Sequence, residues 1–318
     1  MLSKELFEEE AIKLSRIATY SILLSVMFIW GLNVVAIKFL IEYFPPVTMQ
    51  AFRILVAGIV TIIILYFLRD LRKLTKKECT YIFLAAILGQ LGHHAFLALG
   101  LVETTATNAA LILGLSPIAT SILAIAFLHD RLTMLRLLGI GLGFSGVAIV
   151  VLQNSGGLGS ISRGDIFVFI SMISQVFSFI IIKKLSSTLS TKQMTAVMLL
   201  VGSVLLLGLS FFVEPQGMTE LSKGTVWVWI VFLVSAIFAT GLGHILYNTA
   251  IHEIGAGQTA VFNNLIPFFA LIGAYLFLGE QIILTQILGF MLIVLGVLFG
   301  TGYVDSVLIK RKSRVRSS

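Results

Sequence analysis

Two stretches decide the fold: "GHHAFLALGLVETTATNAALILGLSP", Gly92–Pro117, and "LGHILYNTAIHEIGAGQTAVFNNLIP", Leu242–Pro267. A shift of 150 residues lays one on the other without a gap, so that His94 meets His244, Glu103 meets Glu253, Ala110 meets Ala260 and Pro117 meets Pro267. The register continues outward: Phe127-Leu128 falls on Phe277-Leu278, Asp130 on Glu280, Gly139 on Gly289, and Gly146-Val147 on Gly296-Val297. Upstream, a shift of 145 brings Lys38 onto Lys183 and Met49 onto Met194. The chain is a duplication, joined by the Gly/Ser-rich "NSGGLGSISRGD", Asn154–Asp165.

The duplicated unit is a membrane unit. Of 318 residues, 58% are hydrophobic and only 12% charged, where a soluble domain carries about 25% charged residues. Apolar runs long enough to span a bilayer, about 20 residues each, recur throughout. They place spans near residues 18–41, 47–68, 81–101, 105–127, 135–152, 166–185, 193–213, 231–251, 256–278 and 284–303. The expected fold is thus an all-α polytopic membrane protein with ten transmembrane helices. Residues 1–17 form a charged N-terminal segment, 18–153 the first repeat, 164–303 the second and 304–318 a basic tail. The first apolar run lacks a small-residue cleavage site and reads as a span, not a removed signal peptide.

Five spans is an odd number, so the two copies are expected to lie upside down relative to one another. Inverted repeats are a transporter architecture, with a substrate site near the midplane between the halves. The net charge of +7 fits topology better than nucleic acid. Lys4, Lys13 and Arg16, the cluster Arg69 to Lys77, Arg131 and Arg136, Lys183, Lys184 and Lys192, and the tail from Lys310 to Arg316 fall on one side. The other side holds Arg163 and Lys223. This bias puts both termini in the cytoplasm of a multi-pass plasma-membrane protein. The single cysteine, Cys79, excludes an internal disulfide.

"WGLNVVAIKFLIEYFPPVTMQAFRILVAG", Trp30–Gly58, resembles the opening of the EamA domain of the drug/metabolite transporter superfamily. Ala98–Val150 is similar to that domain's second part, and Asn248–Val297 repeats it; "LHD" at Leu128–Asp130 replaces the usual Leu-Gly-Glu seen at Leu278–Glu280. The resemblance implies a ten-helix carrier with a central cavity between its halves, often an exporter of amino acids or other metabolites.

Polar residues inside the spans point to the path. Ser171, Ser174, Gln175 and Ser178 share one helical face, as do Thr240, His244, Tyr247 and Asn248, while Gln90, His93 and His94 form a patch on the third span. Such faces turn toward partners or water, not lipid. At about 1.5 Å per residue, His94 and His244 flank the midplane. The candidate cavity-lining residues are Trp30, Asn33, Gln90, His94, Gln175, His244, Tyr247, Asn248, Asn263 and Asn264. The alternative role for each is interhelical hydrogen bonding without substrate contact. Pro117 and Pro267 predict kinks that free the carbonyls of Leu113 and Asn263. Lys38 is expected to snorkel to the interface, and Arg53 to pair with a helix-end carbonyl or a glutamate. "VMLLVGSVLLLGLSFFV", Val197–Val213, reads as a lipid-facing helix.

Every Asp and Glu falls in a loop or at a helix end, which disfavours strongly cationic substrates. The expected substrate is a small neutral or zwitterionic metabolite such as an amino acid, exported by alternating access. Proton coupling, where present, falls to His94 and His244, since histidine changes charge near neutral pH. The alternative is an intramembrane enzyme using His93, His94 or His244 on a lipid-like substrate, which requires a nucleophile within reach of a histidine. "GLGFSG", Gly141–Gly146, lies inside an apolar span and is not a dinucleotide loop. Gly139 and Gly143 instead permit close helix packing, a homodimer interface being one use of it. His129-Asp130 and His252-Glu253 lack a third metal ligand. No cofactor, metal or nucleic-acid partner is expected; the partners are a small-molecule substrate and the lipid bilayer.

Overall fold

The computed structural model describes residues 2–128, 133–154, 162–254, 259 and 262–300, and every regular element among them is helical. In chain order these are α1 (Leu2–Leu40), α2 (Pro46–Phe67), α3 (Lys76–Ala86), α4 (His93–Glu103), α5 (Ala106–Leu113), α6 (Ser116–Leu128) and α7 (Met134–Asn154). The second half adds α8 (Arg163–Leu185), α9 (Thr191–Val213), the short α10 (Gly217–Glu220), α11 (Val226–Val234), α12 (Gly243–Ile254), α13 (Leu265–Leu278) and α14 (Leu284–Gly300). Linker residues 155–161, the His129-Asp130 pair and the tail 304–318 lie outside the described residues.

Among the described residues, six stretches are long and apolar enough to cross a bilayer: Ala18–Leu40, Pro46–Phe67, Lys76–Glu103, Arg163–Leu185, Thr191–Val213 and Val226–Ala250. Shorter apolar helices cover Ala106–Thr120, Met134–Ile149, Leu265–Leu278 and Leu284–Phe299. The expected fourth span is two helices, because α5 ends before Gly114 and α6 starts afresh at Ser116. The charged N-terminal segment does not stand apart: α1 runs unbroken from Leu2 through the first apolar stretch.

Local chemistry sets the helix starts. Thr75 and Glu78 form a reciprocal capping box ahead of α3. Thr105 accepts the Asn108 N–H at 3.1 Å ahead of α5, and Thr225 caps α11 in the same way.

The duplication is visible in the element bounds. A 145-residue shift carries Ala18–Leu40 onto Arg163–Leu185 and Pro46 onto Thr191; a 150-residue shift carries Lys76 onto Val226 and Met134 onto Leu284. The copies also exchange partners. Helix α1 packs on α12 and α13 of the second half, while α8 packs on α3, α4, α5 and α6 of the first. The remaining repeat-related pairs, α2 with α9 and α7 with α14, pack on each other.

Lipid tails are as apolar as leucine, so these contacts are held by close van der Waals fit, not by the hydrophobic effect. The fit depends on glycine. At the α7–α14 crossing, a Cβ on Gly146 would lie 2.6 Å from the Gly289 carbonyl oxygen, and one on Gly296 would lie 2.5 Å from the Gly143 nitrogen and 2.7 Å from the Gly139 oxygen. This glycine face is therefore spent within the chain and does not mark a homodimer interface. Helix α9 departs from the expected lipid-facing role in the same way. Val204, Phe211 and Phe212 are exposed, but Met198, Leu199, Gly202, Ser203 and Leu206 are buried on one face. There Gly58 of α2 abuts Leu200, and Gly202 admits Gln90.

Candidate functional site

Two π-helical turns build the site. One, Ile87–Gly92, joins α3 to α4; the other, Ser235–Leu242, joins α11 to α12. The surplus residue in such a turn breaks the i to i−4 ladder locally. In and beside the first turn, hydroxyls of α8 donate to backbone carbonyls: Ser178 Oγ to Ala85 O at 3.0 Å, Ser174 Oγ to Leu88 O at 2.8 Å, and Ser171 Oγ to His93 O at 2.8 Å. Gly89 and Gly92 make room, since a Cβ there would lie 2.3 Å and 2.4 Å from the Ser178 and Ser174 hydroxyls. The serine stripe predicted from spacing is thus a zipper between halves. Of the four residues on that face, Gln175 alone lines the cavity.

Around the second turn, Trp30 Nε1 donates to Ala239 O at 2.8 Å and His244 Nδ1 lies 2.8 Å from Thr240 O. Gly243 lets the indole approach. The Trp30 ring packs on His244 and Tyr247, with centroids 5.2 Å and 4.9 Å away.

The turns set His93, His94 and His244 around a cavity of about 110 Å³ lined by both halves. Trp30, Asn33, His94, Gln175, His244 and Asn263 of the predicted set form its wall. Gln90, Tyr247, Asn248 and Asn264 do not. Gln90 is packed against Gly202, Tyr247 receives the Asn263 amide at 2.9 Å, Asn248 donates to Thr195 Oγ1 at 2.7 Å, and Asn264 is buried in the turn before α13. For Tyr247 and Asn248 these are side-chain hydrogen bonds between helical segments, the other role open to a polar residue in a membrane. His93, Thr240, Ser116 and Phe179 complete the polar and aromatic wall. For Ser116 and Phe179 the sequence offered no polar stripe to read.

Hydrogen-bond partners assign the histidine tautomers. A backbone oxygen can only accept, so His244 carries its proton on Nδ1 and presents a bare Nε2. His93 does likewise: the Ser171 hydroxyl donates to His93 O, and His93 Nδ1, 2.8 Å away, donates back to that hydroxyl. His94 is the reverse. Its Nδ1 lies 3.2 Å from a guanidinium nitrogen of Arg53, which can only donate. Nδ1 is therefore the acceptor, and Nε2 bears the hydrogen.

Arg53 is fully buried in α2 and corrects an expectation. Its bonds go to neutral side chains, not to a carbonyl or a glutamate: Gln50 Oε1 at 2.8 Å, Ser235 Oγ at 3.2 Å, Thr240 Oγ1 at 2.6 Å and His94. Burying one unpaired ion costs on the order of several kcal/mol even after relaxation, and four neutral acceptors offset only part of it.

Lys38 donates to Leu101 O at 2.5 Å and Thr104 O at 2.8 Å, capping the end of α4. Beside it, Thr104 donates to Asp165, and Glu280 of the second half accepts the Ala106 and Thr107 amides at 2.8 Å and 3.1 Å. Helix α5 is thereby clasped to the other half at its N-terminus.

The prolines act more locally than predicted. Pro117 and Pro267 both fall in the first turn of a restarted helix, where a missing amide is tolerated. The carbonyls they free are already served, Leu113 O by Ser116 Oγ at 2.5 Å and Asn263 O by Ile266 N–H at 3.1 Å. Neither proline lines the cavity, though Leu113, Ser116, Asn263 and Ile266 beside the breaks do.

The arrangement gives little to hydrolytic chemistry. Ser171 lies within reach of His93, but its side chain is fully buried and its hydrogen is committed to a carbonyl. Glu253 accepts the Thr19 hydroxyl at 2.6 Å. Among the described residues no cluster of His, Cys, Asp or Glu could hold a metal ion.

Comparison with known proteins agrees with this architecture. The EamA-like transporter family matches the chain twice, over residues 17–152 and 162–301. The uncharacterized transporter YyaM of Bacillus subtilis (strain 168) is 32% identical over 290 residues, covering 90% of this chain and 94% of its own. The uncharacterized transporter YvbV of the same organism is 26% identical over 283 residues, covering 89% and 91%. An uncharacterized transporter of Archaeoglobus fulgidus is 26% identical over 269 residues, covering 84% and 93%. One solved crystal structure, 16% identical, shares the fold with a TM-score of 0.66 over 91% of this chain and 98% of that one. Two family matches end to end, several bilayer-length apolar helices and a polar cavity between the copies lead to one conclusion: the chain is a multi-pass membrane transporter and belongs to the EamA-like transporter family.

Proposed function

We propose that the protein is a secondary carrier of ten spans in two inverted five-helix repeats, which exports a small neutral or zwitterionic metabolite, such as an amino acid, by alternating access. Both termini face the cytoplasm of the plasma membrane, as the one-sided distribution of Lys and Arg indicates. The exchange of partners between repeat-related helices supports halves that move against each other around a shared site.

One observation carries the reading. Three residues of the cavity wall each carry a buried polar atom with no hydrogen-bond partner among the described residues: His94 Nε2, Gln175 Oε1 and Asn263 Oδ1. Native interiors rarely leave such groups unserved, and where they do the groups commonly meet water or a ligand.

The test is uptake and efflux of radiolabelled amino acids and other small metabolites in vesicles reconstituted with the full chain. His94→Phe and His244→Phe are expected to cut transport at least tenfold while the protein remains folded by circular dichroism. Unchanged transport in both would remove the cavity from the pathway. His94→Gln/His244→Gln probes proton coupling in the same vesicles: a pH dependence that survives both changes excludes these rings as its source.

A further inference from the structure

We infer that Arg53, acting through His94, makes this cavity a receptor for carboxylates. The substrate class is then small zwitterionic amino acids and, beyond the neutral and zwitterionic metabolites proposed above, the monoanionic hydroxy acids, in which a carboxylate likewise sits next to a hydrogen-bond donor. This rests on the cavity being the transport site and adds the charge that the substrate must bring.

The argument begins with Arg53. It is a fully buried cation whose hydrogen-bond partners are all neutral. Two of those partners, His94 and Thr240, line the cavity, and the wall itself contains no Asp, Glu, Lys or Arg. Arginine cannot accept, so it fixes His94 with Nδ1 toward the guanidinium and N–H at Nε2. That N–H belongs to a cavity-lining residue only 4% exposed and has no partner among the described residues. A donor polarised by a cation in a water-poor site prefers an anionic acceptor, and its hydrogen bonds to such acceptors are about twice as strong as neutral ones.

The rest of the wall has the opposite character. Gln175 Oε1 and Asn263 Oδ1 are unpartnered acceptors, and the tautomers of His93 and His244 leave Nε2 as an acceptor on each ring. A ligand that satisfies both sides carries a carboxylate at the His94 end and an ammonium or hydroxyl at the other. A bare cation would meet the acceptors but also the field of Arg53.

The experiment compares matched probes on the purified wild-type chain, so that it does not depend on a variant folding. L-Lactate and lactamide form one pair, L-alanine and alaninamide another, and binding is read as thermal stabilisation. The acid of each pair is expected to bind at least about tenfold more tightly than its amide. His94→Phe should abolish that preference, and Arg53→Lys should retain part of it by keeping the charge. Equal binding of acid and amide, tighter binding of the amides, or no stabilisation by either acid would overturn the inference. Displacement of the acids by chloride at equal concentration would overturn it in favour of an inorganic-anion site. If amides bind as well as acids and His94→Phe weakens both equally, the carboxylate assignment fails while the cavity stands. If His94→Phe changes neither binding nor transport, the cavity reading fails with it.

Discussion

Replacing Gly296 by alanine tests the packing that holds the two copies together. A methyl group there meets Gly143 N at 2.5 Å, Gly139 O at 2.7 Å and Gly143 Cα at 2.7 Å, all backbone atoms that cannot rotate aside. Ordinary contact begins at 3.4 Å, so α7 and α14 must part locally by about 0.9 Å. A gap of that size forfeits about a quarter to a half of each dispersion contact beside it, and no hydrophobic force between lipid-bathed helices makes up the loss. Overpacking of this kind costs about 1–3 kcal/mol; at 2 kcal/mol the folded population falls relative to the unfolded by about 30-fold. Gly141 on the same α7 is the internal control. A Cβ there meets nothing within 4 Å, and alanine gains about 0.5–1 kcal/mol of helix propensity over glycine. Thermal and SDS unfolding of the two variants should differ by about 1.5–4 kcal/mol, with Gly141→Ala at or above wild type. Neither α7 nor α14 lines the cavity, so transport per folded molecule should not change. Equal stability of the two variants would refute the proposed contact.

Two further outcomes follow from named contacts. Glu280→Gln removes the charge that receives the Ala106 and Thr107 amides; a loss of about 1–2 kcal/mol is expected in thermal unfolding, in line with a partly buried carboxylate at a helix N-terminus, and an unchanged midpoint would discount the clasp. Trp30→Phe keeps a ring against His244 and Tyr247 but strips the donor from Ala239 O. That should cost about 1–3 kcal/mol and raise amide exchange in the turn after α11; retention of wild-type exchange would show that the indole bond does not hold the π-helical turn.

Much of this architecture can be read from residue order. The duplication, the membrane class and the pairing of His94 with His244 need only a shift of 150 residues. Helical spacing places Gln175 on a polar face, and that face does meet the other half. It does not say which members of the face are used up on the way. Ser171, Ser174 and Ser178 are spent on backbone carbonyls in and beside the π-helical turn that joins α3 to α4. A π-helical turn has no residue signature of its own, since glycine and serine at such spacing occur in ordinary helices too, and so the zipper was invisible. Gln90 and Gln175 look alike in sequence; Gly202, more than 100 residues downstream, decides that the first is packing. Arg53 is the sharpest case. Single-sequence reasoning supplies a buried cation with a nearby carboxylate, whereas its neutral partners come from three different helical segments.

The two π-helical turns also say something about descent. The 150-residue shift that relates the histidines carries Ile87–Gly92 onto residues 237–242, inside Ser235–Leu242, so the turn belongs to the duplicated unit and not to either copy alone. Each turn is served by a helix of the opposite copy, α8 for the first and α1 for the second. The ancestral unit, having no second copy in its own chain, would have needed another molecule of itself to supply those donors. Within one chain the two donor sets differ, three hydroxyls on one side and a single indole on the other.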